Sequence, residues 1–143
     1  MAVVFIELLQ QEFNLNEDEI SLLGKTTRQL KKADRRAYFG QLKHKEKDFK
    51  SFMKQQYDTM SPEAQKLWLE AVVQSLLDQG GEPDLADNLA MNIIGRITVY
   101  NHMRERAEKE GIKLKPLANF GGMSTVIMLV GVITAIVLYL TAK

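Results

Sequence analysis

The 143 residues contain no cysteine. That removes disulfides, thiol nucleophiles and cysteine-ligated zinc or iron–sulfur centres, and with them any disulfide-stapled extracellular scaffold. Histidine occurs only twice, as His44 and His102. His102 and Glu105 make a single i,i+3 pair with no second copy to complete a di-metal site in a bundle, so both histidines are expected at the surface. A glycine-rich phosphate loop, a serine-centred elbow and an aspartate-rich calcium loop are all missing, and Asp78-Gln79-Gly80-Gly81-Glu82 lacks the calcium spacing. Acid pairs fall at expected helix starts, where the macrodipole accounts for them. The sequence therefore points away from an enzyme and implies neither cofactor nor metal.

Proline is scarce, with three residues, and no Gly-Gly, Pro or Asn-Gly punctuation marks out alternating strands. The signals that are present are helix caps. The expected fold is all-α: a small helical bundle of about four or five helices, followed by one C-terminal transmembrane helix. Residues 1–111 read as a soluble helical domain, 112–122 as a short hinge containing Pro116 and Gly121-Gly122, and 123–141 as the membrane span. A domain of this length buries a real but small core.

Basic residues are absent from the first 24 positions, which hold five acids. The apolar start Met1-Ala2-Val3-Val4-Phe5-Ile6 has no basic region before it. Glu7 interrupts it, and Gln10-Gln11-Glu12 follows where small residues would prepare a cleavage site, so it does not read as a signal peptide. Asn16, with Glu19 three residues on, predicts a capping box opening a short helix through Ile20, Leu22 and Leu23 to Gly24. Ser61-Pro62-Glu63 predicts a second start, for a helix running to about Gln79 and ending at Gly80-Gly81. Its apolar residues lie nearly all the way round, which suits the centre of a bundle. Glu82-Pro83-Asp84 predicts the start of one helix carrying Leu85, Leu89, Ile93, Ile94, Ile97 and Tyr100. That helix should continue through the charged, solvated run 104–110 to Gly111.

Charged residues are also absent from Pro116 to Ala142. Phe120 to Thr141 is about 22 residues, or roughly 33 Å of helix, against a hydrocarbon core of about 30 Å. The alternative, a buried helix of a water-soluble protein, fails on size, because so small a domain cannot surround it. Tyr139 sits near one end, where an aromatic ring prefers the interface. Arg104, Arg106, Lys109, Lys113 and Lys115 precede the segment and only Lys143 follows. The positive-inside bias then puts the N-terminal domain on the cytoplasmic side of a single-pass, tail-anchored protein. Ser124, Gly131, Thr134 and Ala135 give the segment one small face, and Gly131 with Ala135 has the spacing for close helix–helix approach and self-association.

What the first 24 residues lack, the next 30 hold. Residues 25–54 carry eleven bases against three acids. A helical run is predicted from Thr27 to about Tyr57, with a bend at Gly40. On it Arg28, Lys31, Lys32, Arg35 and Arg36 share an arc opposite Leu30, Ala33 and Ala37, and Lys43, Lys47, Lys50 and Lys54 continue on nearly the same side. Several are like-charge i,i+4 pairs, which oppose helix formation. Two readings compete here: a solvated face whose bases pair with the acidic segments on either side, and an anion-binding face for phospholipid headgroups, nucleic-acid phosphates or an acidic protein. The leading functional expectation is a membrane-anchored structural or adaptor protein that presents this basic face to a protein partner or anionic phospholipid. The alternative is a membrane tether for nucleic acid, as in a lipid-containing virion. A membrane-perturbing lysis factor is a third reading.

Overall fold

Helix caps set the element boundaries in the computed structural model, which describes residues 3–114, with side-chain surroundings from Phe5 onward. The expected membrane span 123–141, with Ser124, Gly131, Thr134 and Ala135, lies outside the described residues. Among the described residues the fold is all-α, and no helix is long and apolar enough to cross a membrane. The helices are α1 (Val3–Phe13), α2 (Glu17–Leu23), α3 (Lys32–Ala37), α4 (Glu46–Asp58), α5 (Pro62–Asp78), α6 (Leu85–Ile94) and α7 (Arg96–Glu110).

Two of the predicted caps form as read. The Asn16 side chain accepts from the Glu19 N–H at 2.8 Å while Glu19 accepts from the Asn16 N–H at 3.0 Å, closing the capping box of α2. Ser61 accepts from the Ala64 N–H at 3.2 Å with Pro62 at the first position of α5. That helix stops where Gly80 and Gly81 take φ of 72° and 97°, a backbone region open to glycine at little cost. As its all-round apolar pattern predicts, α5 is central. Trp68, Val72, Val73, Leu76 and Leu77 are buried, and Leu67 alone of its large apolar residues is strongly exposed.

The N-terminal segment is part of this core. Phe5 and Leu9 of α1 are fully buried. Phe5 meets Trp68 edge to face at 5.1 Å between ring centroids, and Phe13 meets Phe49 of α4 likewise at 4.9 Å. Burying one such side chain stabilises the fold by roughly 1.5–3 kcal/mol, so α1 is held to α4 and α5 by hydrophobic burial.

Two expectations are corrected. The single helix predicted from Asp84 to Gly111 is broken at Gly95, whose φ of 119° and ψ of 114° interrupt the helical ladder. The break lets α7 fold back along α5, burying Val99, Met103 and Ala107. These recur every four residues, so the run 104–110 is not wholly solvated: its charged residues stand on either side of a buried seam.

The second correction concerns the run from Thr27. Residues 26–31 form turns, and the helix begins at Lys32. It continues through a π turn (Tyr38–Leu42) and a 3-10 turn (Lys43–Lys45) into α4. Gly40 sits within the π turn, at the position where a bend is predicted. Of the expected inward residues Ala33 is exposed, while Leu30 and Ala37 are only partly covered. The stripe that faces the protein is Asp34 and Tyr38, both partly covered, followed by the buried Leu42, Phe49 and Met53.

Candidate functional site

With that stripe turned inward, the opposite side of the same segment faces solvent. Lys32, Arg35, Arg36, Phe39 and Lys43 are all exposed, and they are spaced by three, four or seven residues, so they form one row along the segment. Phe39 is 66% exposed. Its ring meets Tyr38 edge to face at 5.7 Å, and Tyr38 is tied inward by a hydrogen bond from its hydroxyl to Glu46. Tyr38 is thus held by a partly covered partner on the same segment, while the neighbouring ring is left outside.

The cations divide into two groups by what they touch. Arg28 lies in the turn before α3, where its Nε sits 3.3 Å from Glu82 and its N–H also donates to that carboxylate. Lys43 and Lys50 reach Glu46 at 3.1 and 3.7 Å, and Lys54 pairs with Asp58 at 3.0 Å. The Lys31 N–H donates to Asp34, which Lys25 also holds at 2.9 Å. For Arg28, Lys43, Lys50 and Lys54 the pairing interpretation is the correct one, whereas Lys31 is engaged only through its backbone N–H. Lys31, Lys32, Arg35, Arg36 and Lys47 have no ion-pair partner among the described residues, so the candidate anion face contracts to them, with Phe39 beside it.

Acids beneath the face are held ionised. Lys45 donates to the buried Glu19 at 2.6 Å. That bond and the Asn16 N–H hold the Glu19 carboxyl below its ordinary value. The Lys25 ammonium and the Lys31 N–H do the same for Asp34. Burial pushes Glu46 up, but the bonds from Tyr38 and Lys43 outweigh it and leave its carboxyl low. Burial, then the Glu46 bond and charge, push the Tyr38 hydroxyl up. Glu19, Asp34 and Glu46 are therefore committed to internal partners and do not neutralise the outer cations.

A second polar cluster escaped the sequence reading. Asp84 and Asp87 at the start of α6 are buried, with Ser75 and Thr26. Ser75 Oγ and Gln79 Nε2 each donate to Asp87 Oδ2 at 2.9 Å, and Asp87 Oδ1 has no hydrogen-bond partner. Thr26 forms an isolated antiparallel bridge with Asp84. The arrangement ties the turn before α3 to the α5–α6 junction. It has no nucleophile–base pair and no metal-ligand set, and no group of three or more metal-ligating acids or histidines exists among the described residues.

Along the α5–α7 seam lies an open groove of about 580 Å³, lined by Lys66, Glu70, His102 and Glu105 over Leu69 and Val73. Its charges are mixed in sign, so it selects no class of ligand. His102 and His44 are both exposed, and the ring of His102 lies 3.2 Å from the Thr98 carbonyl. No protein-family model, curated protein or solved structure matches the chain.

Proposed function

We propose that the protein is a membrane-anchored structural or adaptor protein whose helical domain presents a basic face to an anionic surface. The observation that carries this reading is the unneutralised face: Lys31, Lys32, Arg35, Arg36 and Lys47 stand exposed with no ion-pair partner among the described residues, while Asp34, Glu46 and Glu19 are engaged by other bases. Like charges at i,i+3 and i,i+4 cost helix stability, and a solvated face normally mixes signs. The uncharged stretch from Pro116 to Ala142 supports the anchor. The excess of bases before that stretch supports a cytoplasmic domain. Only residues 112–122 separate the domain from the proposed anchor in the sequence, which favours a basic face that works at the membrane surface.

The test has two arms. The full chain should stay in the membrane fraction after alkaline extraction, and deletion of residues 123–141 should release it. In neutral detergent the full chain should be retained on an immobilised polyanion and elute at a salt concentration that falls sharply for the Lys32→Glu, Arg35→Glu, Arg36→Glu variant. Release of the full chain by alkali refutes the anchor, and an unchanged elution salt refutes the anion face.

A further inference from the structure

Phe39 is the residue the basic face does not explain. Among the described residues, Phe39, Leu67 and Ile97 are the large apolar side chains left at least 65% exposed. Scattered apolar residues on a surface are ordinary, and Leu67 and Ile97 fit that description. The neighbours of Leu67 at helical spacing are Glu63, Ala64, Glu70 and Ala71, and those of Ile97 within α7 are Tyr100 and Asn101. Phe39 differs: its neighbours at the same spacing are Arg35, Arg36 and Lys43, with Lys32 one further turn away. The ring does not stand on a free helix end. Tyr38 beside it is bonded to Glu46, and Leu42 just after it is fully buried. The exposed position of the ring is thereby set by two inward anchors.

An aromatic side chain amid unneutralised cations fits one surface by both of its properties. Anionic headgroups attract the bases, over a distance limited by screening. The boundary just below the headgroups accepts an apolar ring, as it does for interfacial helices with a basic face and Phe, Trp or Leu beside it. An acidic protein would satisfy the charges, and a single projecting ring would need a pocket in it. The long stems of Lys and Arg let the heads stay at phosphate level while the ring goes deeper.

Resting on the reading of an anchored basic domain, we infer that Lys32, Arg35, Arg36 and Phe39 form a bilayer-docking element, in which Phe39 enters the headgroup–acyl boundary of anionic membranes. The domain is then held at the membrane at two points, the anchor and this ring. An adaptor so held presents one defined side, including the α5–α7 groove, away from or along the surface instead of tumbling on its hinge.

The test uses the full chain carrying Phe39→Trp, reconstituted in phosphatidylcholine vesicles with or without phosphatidylserine, the lipids being brominated on their acyl chains. The native Trp68 is buried, and its signal is subtracted using the parent protein. The docking element predicts that emission from the introduced indole is blue-shifted and quenched when phosphatidylserine is present and much less in its absence. Adding Lys32→Glu, Arg35→Glu and Arg36→Glu should abolish that difference. If the indole is unquenched in both lipids while polyanion retention still depends on the three bases, insertion is wrong and the anion face stands. If retention is independent of the three bases as well, the underlying reading has failed. Quenching of the indole by added single-stranded RNA but not by brominated lipid would assign the element to nucleic acid and overturn the inference.

Discussion

Asp84 and Asp87 cap each other: the Asp87 N–H donates to Asp84 Oδ1 at 2.7 Å, and the Asp84 N–H donates to Asp87 Oδ2 at 3.2 Å. An acid at the third helical position commonly reaches back to the cap in this way. What is unusual is that both carboxyls are buried, and that the charge of Asp87 opposes ionisation of Asp84. Burial first, then the charge of Asp87, push Asp84 up to about 7. Burial also raises Asp87, against the bonds it accepts from Asp84, Ser75 and Gln79.

A carboxyl raised in the folded state favours folding while it is protonated. The contribution of Asp84 is therefore full below the ordinary value of 3.8 and is lost as pH rises through about 7, and the raised Asp87 acts in the same sense. The lowered Glu19, Asp34 and Glu46 act in the opposite sense, their contributions being lost only as pH falls into the acid range. Thermal unfolding of the full chain in neutral detergent should accordingly show stability declining from mildly acidic to neutral pH. Asp87→Asn should flatten that decline and raise the neutral-pH midpoint. A midpoint that climbs steadily toward neutral pH in the parent contradicts the buried pair.

The caps differ in what they protect. Asn16→Ala should cost about 1 kcal/mol, the usual value of an N-cap, read from the same melts. Lys45→Met should destabilise more than Lys54→Met. Lys45 serves the buried Glu19, whereas Lys54 and Asp58 are 67% and 53% exposed, and exposed pairs contribute little. Equal effects would show that Glu19 finds water or another donor.

Local signals were the legible ones. Asn16 with Glu19, Ser61 with Pro62, and Gly80-Gly81 each carry their chemistry within a few residues, so the sequence placed those boundaries closely. Gly95 was opaque because a glycine inside a periodic apolar pattern reads as tolerated; only the docking of Val99, Met103 and Ala107 on α5 makes it a break. The bases were visible as a surplus, and the pairs of Lys43, Lys50 and Lys54 are local, but the pairing of Arg28 depends on Glu82 arriving from the fold. Phe39 was missed because the covered side runs through Asp34 and Tyr38 to the buried Leu42, while Ala33, expected inward, is exposed. The Asp84–Asp87 pair looked like two ordinary cap residues until Ser75 and Gln79 of the preceding segment closed over it.

Gly95→Ala should be destabilising by more than about 1 kcal/mol, since φ near 119° strains any side chain-bearing residue. A Cβ there meets nothing closer than 3.5 Å, so the cost is conformational and not steric. Amide exchange should report it as faster opening of α7 relative to α4. A neutral outcome would mean that α6 and α7 join as the single helix that the sequence suggests.

Charge reversal should separate the paired cations from the outer ones. Arg28→Glu places a like charge beside Glu82 and should lower the melting midpoint. Lys32→Glu with Arg35→Glu and Arg36→Glu should leave it unchanged or slightly higher, because the three bases repel one another and pair with nothing described. Unfolding of the triple variant would assign these bases a structural role.

The most direct test of the basic face at a membrane is hydrogen exchange of the full chain in nanodiscs, with phosphatidylserine present or absent. The account predicts that amides of residues 32–45 exchange more slowly when phosphatidylserine is present, that α5 is unaffected, and that the triple reversal erases the difference. Identical exchange of residues 32–45 in both lipids, in a chain that remains inserted and folded, would contradict it.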